Sequence, residues 1–173
     1  MTMMSMEEQR AIRLDRMRFT KNTFSSRLCY LAILFDVLFF VSIFESDVGT
    51  WYYKALIGIS VVYNLVFMLV VFLASEGVKN YKISYGYALL GLGAGQIARI
   101  FILPKLAHEA LTKKHDPVLK KVVELPVMEN GQFTWVIICL ALSAVCCIVG
   151  GAVAVQRSRK LSAYNAMLAE TAK

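Results

Sequence analysis

Four apolar runs of bilayer length, at 28–44, 55–74, 83–103 and 133–155, restrict this chain to very few folds. The hydrocarbon core of a bilayer, ~30 Å thick, takes about 20 helical residues to cross. All four runs meet that length, the first near its lower limit. In lipid, backbone N–H and C=O groups must be satisfied within a segment or in a closed barrel. The alternating ten-residue pattern of barrel strands is missing here. The runs are therefore predicted to be transmembrane helices, and the fold to be all-α, a polytopic four-transmembrane-helix bundle. The expected organisation is a basic N-terminal segment (1–27), a membrane domain (28–155) and a helical tail (156–173).

Composition agrees with this expectation. Hydrophobic residues make up 58% of the chain and charged residues 18%, against about a quarter charged in a typical soluble domain. Mean hydropathy is +0.58. The net charge of +7 would suit nucleic acid only on a basic face interleaved with base-reading elements. Here Lys and Arg flank apolar runs, as membrane proteins place them, so no nucleic-acid partner is expected. Cys29, Cys139, Cys146 and Cys147 all lie inside apolar runs. They read as small packing residues rather than as a zinc cluster or disulfide framework, and neither metal nor cofactor is expected.

The first run differs from a signal peptide. Its polar leader is long, and Ile43-Phe44-Glu45-Ser46-Asp47 lacks the small residues of a cleavage site. Twelve of the 19 Lys and Arg fall in the leader, the second connection and the tail, six in the other two connections, and Arg99 within a span. The positive-inside rule then puts both termini in the cytoplasm of a cell-membrane protein. The leader, with Ser5 and Glu8 in capping-box spacing, is expected to form a basic helix drawn to anionic lipid headgroups.

Between the first two spans, Trp51-Tyr52-Tyr53 reads as an interfacial anchor. In the third connection, Asp116 as N-cap and Pro117 at the first helical position predict a short outer amphipathic helix. Val118, Leu119, Val122, Val123 and Leu125 would form its apolar face. His108 and His115, two turns or ~10 Å apart on one helix, read as surface residues rather than metal ligands. In the tail, Leu161, Tyr164 and Leu168 keep helical spacing, so the fourth span is expected to continue as a cytoplasmic helix with an apolar stripe.

Ionisable residues within spans are costly and rare. Asp36 is eight residues before Phe44, Asn64 nine after Ala55 and Gln96 eight before Pro104, each ~12 to 14 Å deep at the helical rise. Arg99 shares the face of Gln96 and leans back toward that layer. These four residues form the expected intramembrane polar cluster, with an Asp36–Arg99 ion pair and Asn64 and Gln96 completing hydrogen bonds. As interhelical glue, the pair avoids an insertion penalty. As a functional site, Asp36 would hold a proton or cation. Gly91 and Gly95 form a GxxxG pattern, and Cys139, Ser143, Cys147 and Gly151 recur every four residues; both stripes read as helix-packing surfaces.

Four spans with internal termini resemble the layout of claudin-like, tetraspanin-like and MARVEL-type proteins, a likeness that carries over no residue role. No HExxH, GxSxG or P-loop pattern is present, so no enzyme is expected. Besides the lipid bilayer, the expected partners are other membrane subunits or further copies of the chain. The function expected is that of an accessory or scaffolding subunit of a larger membrane complex, such as a transporter; the alternative is a small oligomeric channel or transporter built on the polar cluster.

Overall fold

A computed structural model describes residues 6–44, 51–109, 111–116, 121–126 and 128–171. Five helices and a two-stranded hairpin follow in the order α1 (Met6–Phe19), α2 (Thr23–Phe44), α3 (Trp51–Lys79), α4 (Ile83–Glu109), β1 (Leu111–Asp116), β2 (Lys121–Pro126) and α5 (Asn130–Thr171). Helices α2 to α5 are long and apolar enough to cross a membrane. Each outruns its apolar sequence. α3 already begins at Trp51, so the aromatic triplet opens the helix instead of closing a loop. α4 continues through Pro104 to Glu109, although the proline gives up one intrahelical hydrogen bond. α1 begins at Met6, so Ser5 lies outside the described residues.

The third connection departs from expectation. It holds an antiparallel hairpin rather than an amphipathic helix, with His115 opposite Val122 and Lys113 opposite Glu124. Val118 and Leu119 lie outside the described residues. Two local preferences account for the difference. Asp-Pro initiates turns as readily as helices, and the β-branched Val122-Val123 favours a strand. The register also sets Asp116 opposite Lys121.

α5 packs along α4 and α2, and α3 packs on α2 and more lightly on α4. The close approach of α4 to α5 runs through Gly86 and Gly93, while the GxxxG pair Gly91 and Gly95 lies on another face of α4. A Cβ on Gly86 would lie 2.7 Å from Val155 Cγ2, and one on Gly93 would lie 3.2 Å from the Ala144 carbonyl. Gly91 has nothing within 4 Å, and Gly95 meets only the Tyr63 hydroxyl at 3.1 Å. Two residues of helix rotate the face by about 200°, so Gly91 points away from the side on which Gly93 packs. On α5 the stripe does face inward: Cys139, Ser143 and Cys147 are buried, and a Cβ on Gly151 would come within 2.8 Å of the Gly86 carbonyl.

Polar contacts tie the helix ends. At one end the buried Asn22 donates its backbone N–H to the Lys79 carbonyl (3.0 Å). Its side chain donates to Ser25 Oγ (3.0 Å) and accepts from Arg157 Nη1 (2.9 Å), so α2, α3 and α5 meet there. At the other end Gln132 Nε2 donates to the Ser42 carbonyl, and the His108 ring stacks on Phe133 with centroids 4.4 Å apart.

The α3–α4 turn closes α3 with two reaching bonds, from Lys82 N to Gly77 O (3.1 Å) and from Tyr81 N to Val78 O (3.2 Å). This is a Schellman cap, which calls for a left-handed residue at Tyr81, and Tyr81 has φ 55°. Such a backbone costs a non-glycine residue about 1–2 kcal/mol. Tyr81→Gly is therefore expected to raise stability by up to about 1 kcal/mol, seen as a higher melting temperature in detergent. A lower one would show that the tyrosine ring contributes more than the backbone strain removes.

Candidate functional site

The polar residues of the spans gather at one level because each follows an apolar residue of one cluster and precedes one of another. Toward the hairpin end, Phe39, Ile43, Val136, Cys139 and Leu140 pack together, with Leu56 and Ile100 against them. Toward the opposite end, Ala32, Phe67, Val71, Leu89 and Cys147 belong to a second cluster. Between them come Asp36 on α2, Ser60 and Asn64 on α3, Gln96 and Arg99 on α4, and Ser143 on α5, all buried.

Asp36 is the centre of the layer. Its Oδ1 accepts a hydrogen bond from Gln96 Nε2 at 3.0 Å and one from Arg99 Nη1 at 3.4 Å, the latter also an ion pair. Arg99 Nη2 reaches across to α3, donating to the Ser60 hydroxyl and to the Ser60 carbonyl. The guanidinium also lies 4.3 Å from the centre of the Phe39 ring and 4.7 Å from that of Tyr63. An arginine between two aromatic faces gains cation–π attraction that strengthens as water is removed. One side chain thus engages α2 and α3 from α4. Ser143 Oγ donates to the Ala32 carbonyl at 3.0 Å, joining α5 to α2.

Asp36, Gln96 and Arg99 therefore sit in one network, whereas Asn64 does not join it. Both of its amide atoms are buried without a hydrogen-bond partner, as are Asp36 Oδ2 and Gln96 Oε1. The position expected of Asn64 as a partner is taken by Ser60, one turn earlier on the same helix. Ser60 was absent from the sequence expectation, although its four-residue spacing from Asn64 on an apolar helix is a signal that could have found it. Phe39 and Tyr63 gave no such signal, since aromatic residues are common throughout the spans. Asn22, which precedes α2 as Asn often does, was hidden in the polar leader.

Chemically, the layer holds one carboxylate, one guanidinium and four neutral hydrogen-bonding side chains in an apolar surround. Formal charge within it sums to zero. Among the described residues, no three His, Cys, Asp or Glu side chains gather as a metal site would require. His108 lies at the hairpin end, away from the layer, stacked on Phe133; of the His115 side chain nothing is described.

Compared with family models, curated proteins and solved structures, the chain matches none.

Removing one member of a buried ion pair strands the other and costs about 3 kcal/mol or more, while replacing both by apolar residues is close to neutral. Asp36→Asn is accordingly expected to lower unfolding free energy by about 2–4 kcal/mol, and Asp36→Leu combined with Arg99→Met to recover most of that loss. Denaturant unfolding in mixed micelles would measure both. Additive losses in the double variant would mean that the two charges do not act as a pair.

Proposed function

We propose that the chain is a multi-pass protein of the cell membrane, its four long helices forming a bundle with both termini in the cytoplasm, and that it serves as a non-enzymatic accessory or scaffolding subunit of a larger membrane assembly. One observation carries the reading: α5 runs without interruption for 42 residues, about 63 Å at the helical rise and twice what the hydrocarbon core requires. Its last turns lie well past the apolar run and still expose apolar side chains. Met167 is 64% and Leu168 37% exposed, whereas Leu161 and Tyr164 are half-buried. A rigid helix projecting from the membrane with an uncovered apolar edge is a contact surface for another chain. Orientation follows the excess of Lys and Arg at the end where Asn22, Lys79 and Arg157 meet.

The alternative of a small channel or transporter has specific support in Asp36 Oδ2, Gln96 Oε1 and the amide of Asn64, buried polar atoms without partners. Against it, apolar clusters close the layer toward both ends, and Arg99 already neutralises Asp36. Proton or cation flux in liposomes that vanishes in Asp36→Asn would favour the alternative.

For the subunit reading, native mass spectrometry after gentle extraction from the source membrane is expected to show the chain with other subunits or further copies of itself. Met167→Gln with Leu168→Gln is expected to release the chain as a monomer without altering its melting temperature. A lone monomer before any substitution would refute the reading.

A further inference from the structure

Beside the polar layer, α3 and α4 part to leave a crevice of about 210 Å³, walled by Leu56, Ile59 and Tyr63 from α3 and by Ala98 and Ile102 from α4. Ile59 and Ile102 are exposed at its rim. At its floor lie Ser60 and Arg99, only 8% and 7% exposed. The opening exists because α4 presents Gly95 to it, where a Cβ would meet only the Tyr63 hydroxyl. α4 packs on α5 through the other glycine face, so nothing draws α3 closer.

Shape and chemistry both limit what can enter. An apolar cavity of ~150 Å³ stays dry and takes benzene, so this one has room for a substituted ring. It spans Leu56 to Tyr63 and Gly95 to Ile102, two helical turns or ~10 Å, a compact space rather than a track for a whole acyl chain. A shallower groove continues from it along the outer face of α3, past Gly58, Val62 and Val66. Gly58 has no neighbour within 4 Å, which leaves space for a hydrocarbon tail.

The floor selects the polar group. A guanidinium has five N–H donors, and the bonds to Asp36 and Ser60 use three of them. Two N–H groups of the Arg99 guanidinium therefore keep no bond to Asp36 or Ser60, and an acceptor entering the crevice would bond by reaching one of them. Asp36 already balances that charge, so an anion would leave a net negative charge in hydrocarbon, which is strongly disfavoured. A cation would find no carboxylate lining the crevice. What fits is a neutral acceptor on an apolar ring.

We propose that this crevice binds a neutral lipid-soluble molecule whose ring carries a carbonyl group, the oxygen accepting a hydrogen bond from Arg99. The site stands independently of the subunit role and holds whether or not the chain assembles with others.

Photocrosslinking tests it, with the full-length protein in phosphatidylcholine nanodiscs and benzophenone, a neutral ring ketone, as the probe. Crosslinks are expected to concentrate in residues 56–63 and 95–102. Menadione should displace them at least about tenfold more effectively than naphthalene, which has a similar ring shape without the acceptor. Ala98→Leu, which narrows the mouth, should abolish most of the labelling at an unchanged melting temperature. Ile102→Trp at the rim is the second variant should Ala98→Leu not fold, and its labelling should fall likewise. The proposal is overturned if labelling spreads evenly over lipid-facing residues, if the folded mouth variants label as the parent does, or if naphthalene competes as well as menadione. Competition by palmitate above menadione would also overturn it, as would a disulfide between copies of an Ala98→Cys variant, which would put a second chain in the crevice.

Discussion

An aspartate and an arginine inside a low-dielectric interior must find each other, and this requirement fixes how three of the long helices stand against one another. Asp36 belongs to α2 and Arg99 to α4, and Arg99 reaches α3 through Ser60. Sliding any of these helices by one turn, ~5.4 Å, would withdraw a partner and leave a charge or a donor in apolar surroundings. The penalty for that is several times the value of an ordinary packing contact. Apolar side chains alone are tolerant of such shifts, since Leu on Leu is little different one turn along. The polar layer therefore supplies register, while the apolar clusters on either side supply area.

α5 takes no part in the charge pair and is positioned by other means. Its small residues let it lie close along α4 and α2, with Gly151 against the Gly86 carbonyl and Leu89, and Ser143 bonded to the Ala32 carbonyl. Close backbone approach of this kind gains dispersion contacts between the helices. The two glycine faces of α4 then divide the molecule. Gly86 and Gly93 are consumed by α5, while Gly91 and Gly95 are left toward α3, which is held chiefly by α2 and by the reach of Arg99. The looser side of the structure is thus a consequence of which glycines α5 occupies.

The four long apolar helices were legible because apolar runs of about 20 residues exceed the usual length of a strand. Asp36, Gln96 and Arg99 were legible because helical rise converts sequence position into depth. Residue depth does not give facing direction. GxxxG at Gly91 and Gly95 marks two small residues on one side of a helix without saying which neighbour that side meets. Ser60 gave only its spacing from Asn64 as a signal, because a serine in an apolar helix can bond its own preceding turn, as Ser42 does to Leu38, so its presence does not demand a partner. Asn64, by contrast, seemed to demand one and has none. The hairpin was misread because Asp116-Pro117 is compatible with a helix start and with a turn, and only the β-branched pair that follows separates the two.

The layer lies nearer one end of the structure than the other, and this asymmetry limits how anything could reach it. Toward the end where Asn22 and Arg157 meet, the path is filled by Ala32, Phe67, Val71, Leu89, Cys147 and, farther along, Ala74, Val78 and Ala154, all essentially without exposure. Toward the hairpin it is filled by Phe39, Leu140 and Val136 with Met128 beyond. Beyond the apolar stretch toward the Asn22 end come the buried Ser75, Ser26 and Ser158, but a hydrated ion crossing that stretch would shed its water against hydrocarbon. From the side, the barrier is one layer of α3 and α4 side chains opened at Gly95. With lipid around the helices, as proposed above, an apolar molecule would meet no desolvation penalty on that route, and its polar contacts would be Ser60 and Arg99. The charge pair that sets the register of the helices is thus covered by apolar side chains toward both ends, and the α3–α4 crevice is where its arginine comes nearest the surface.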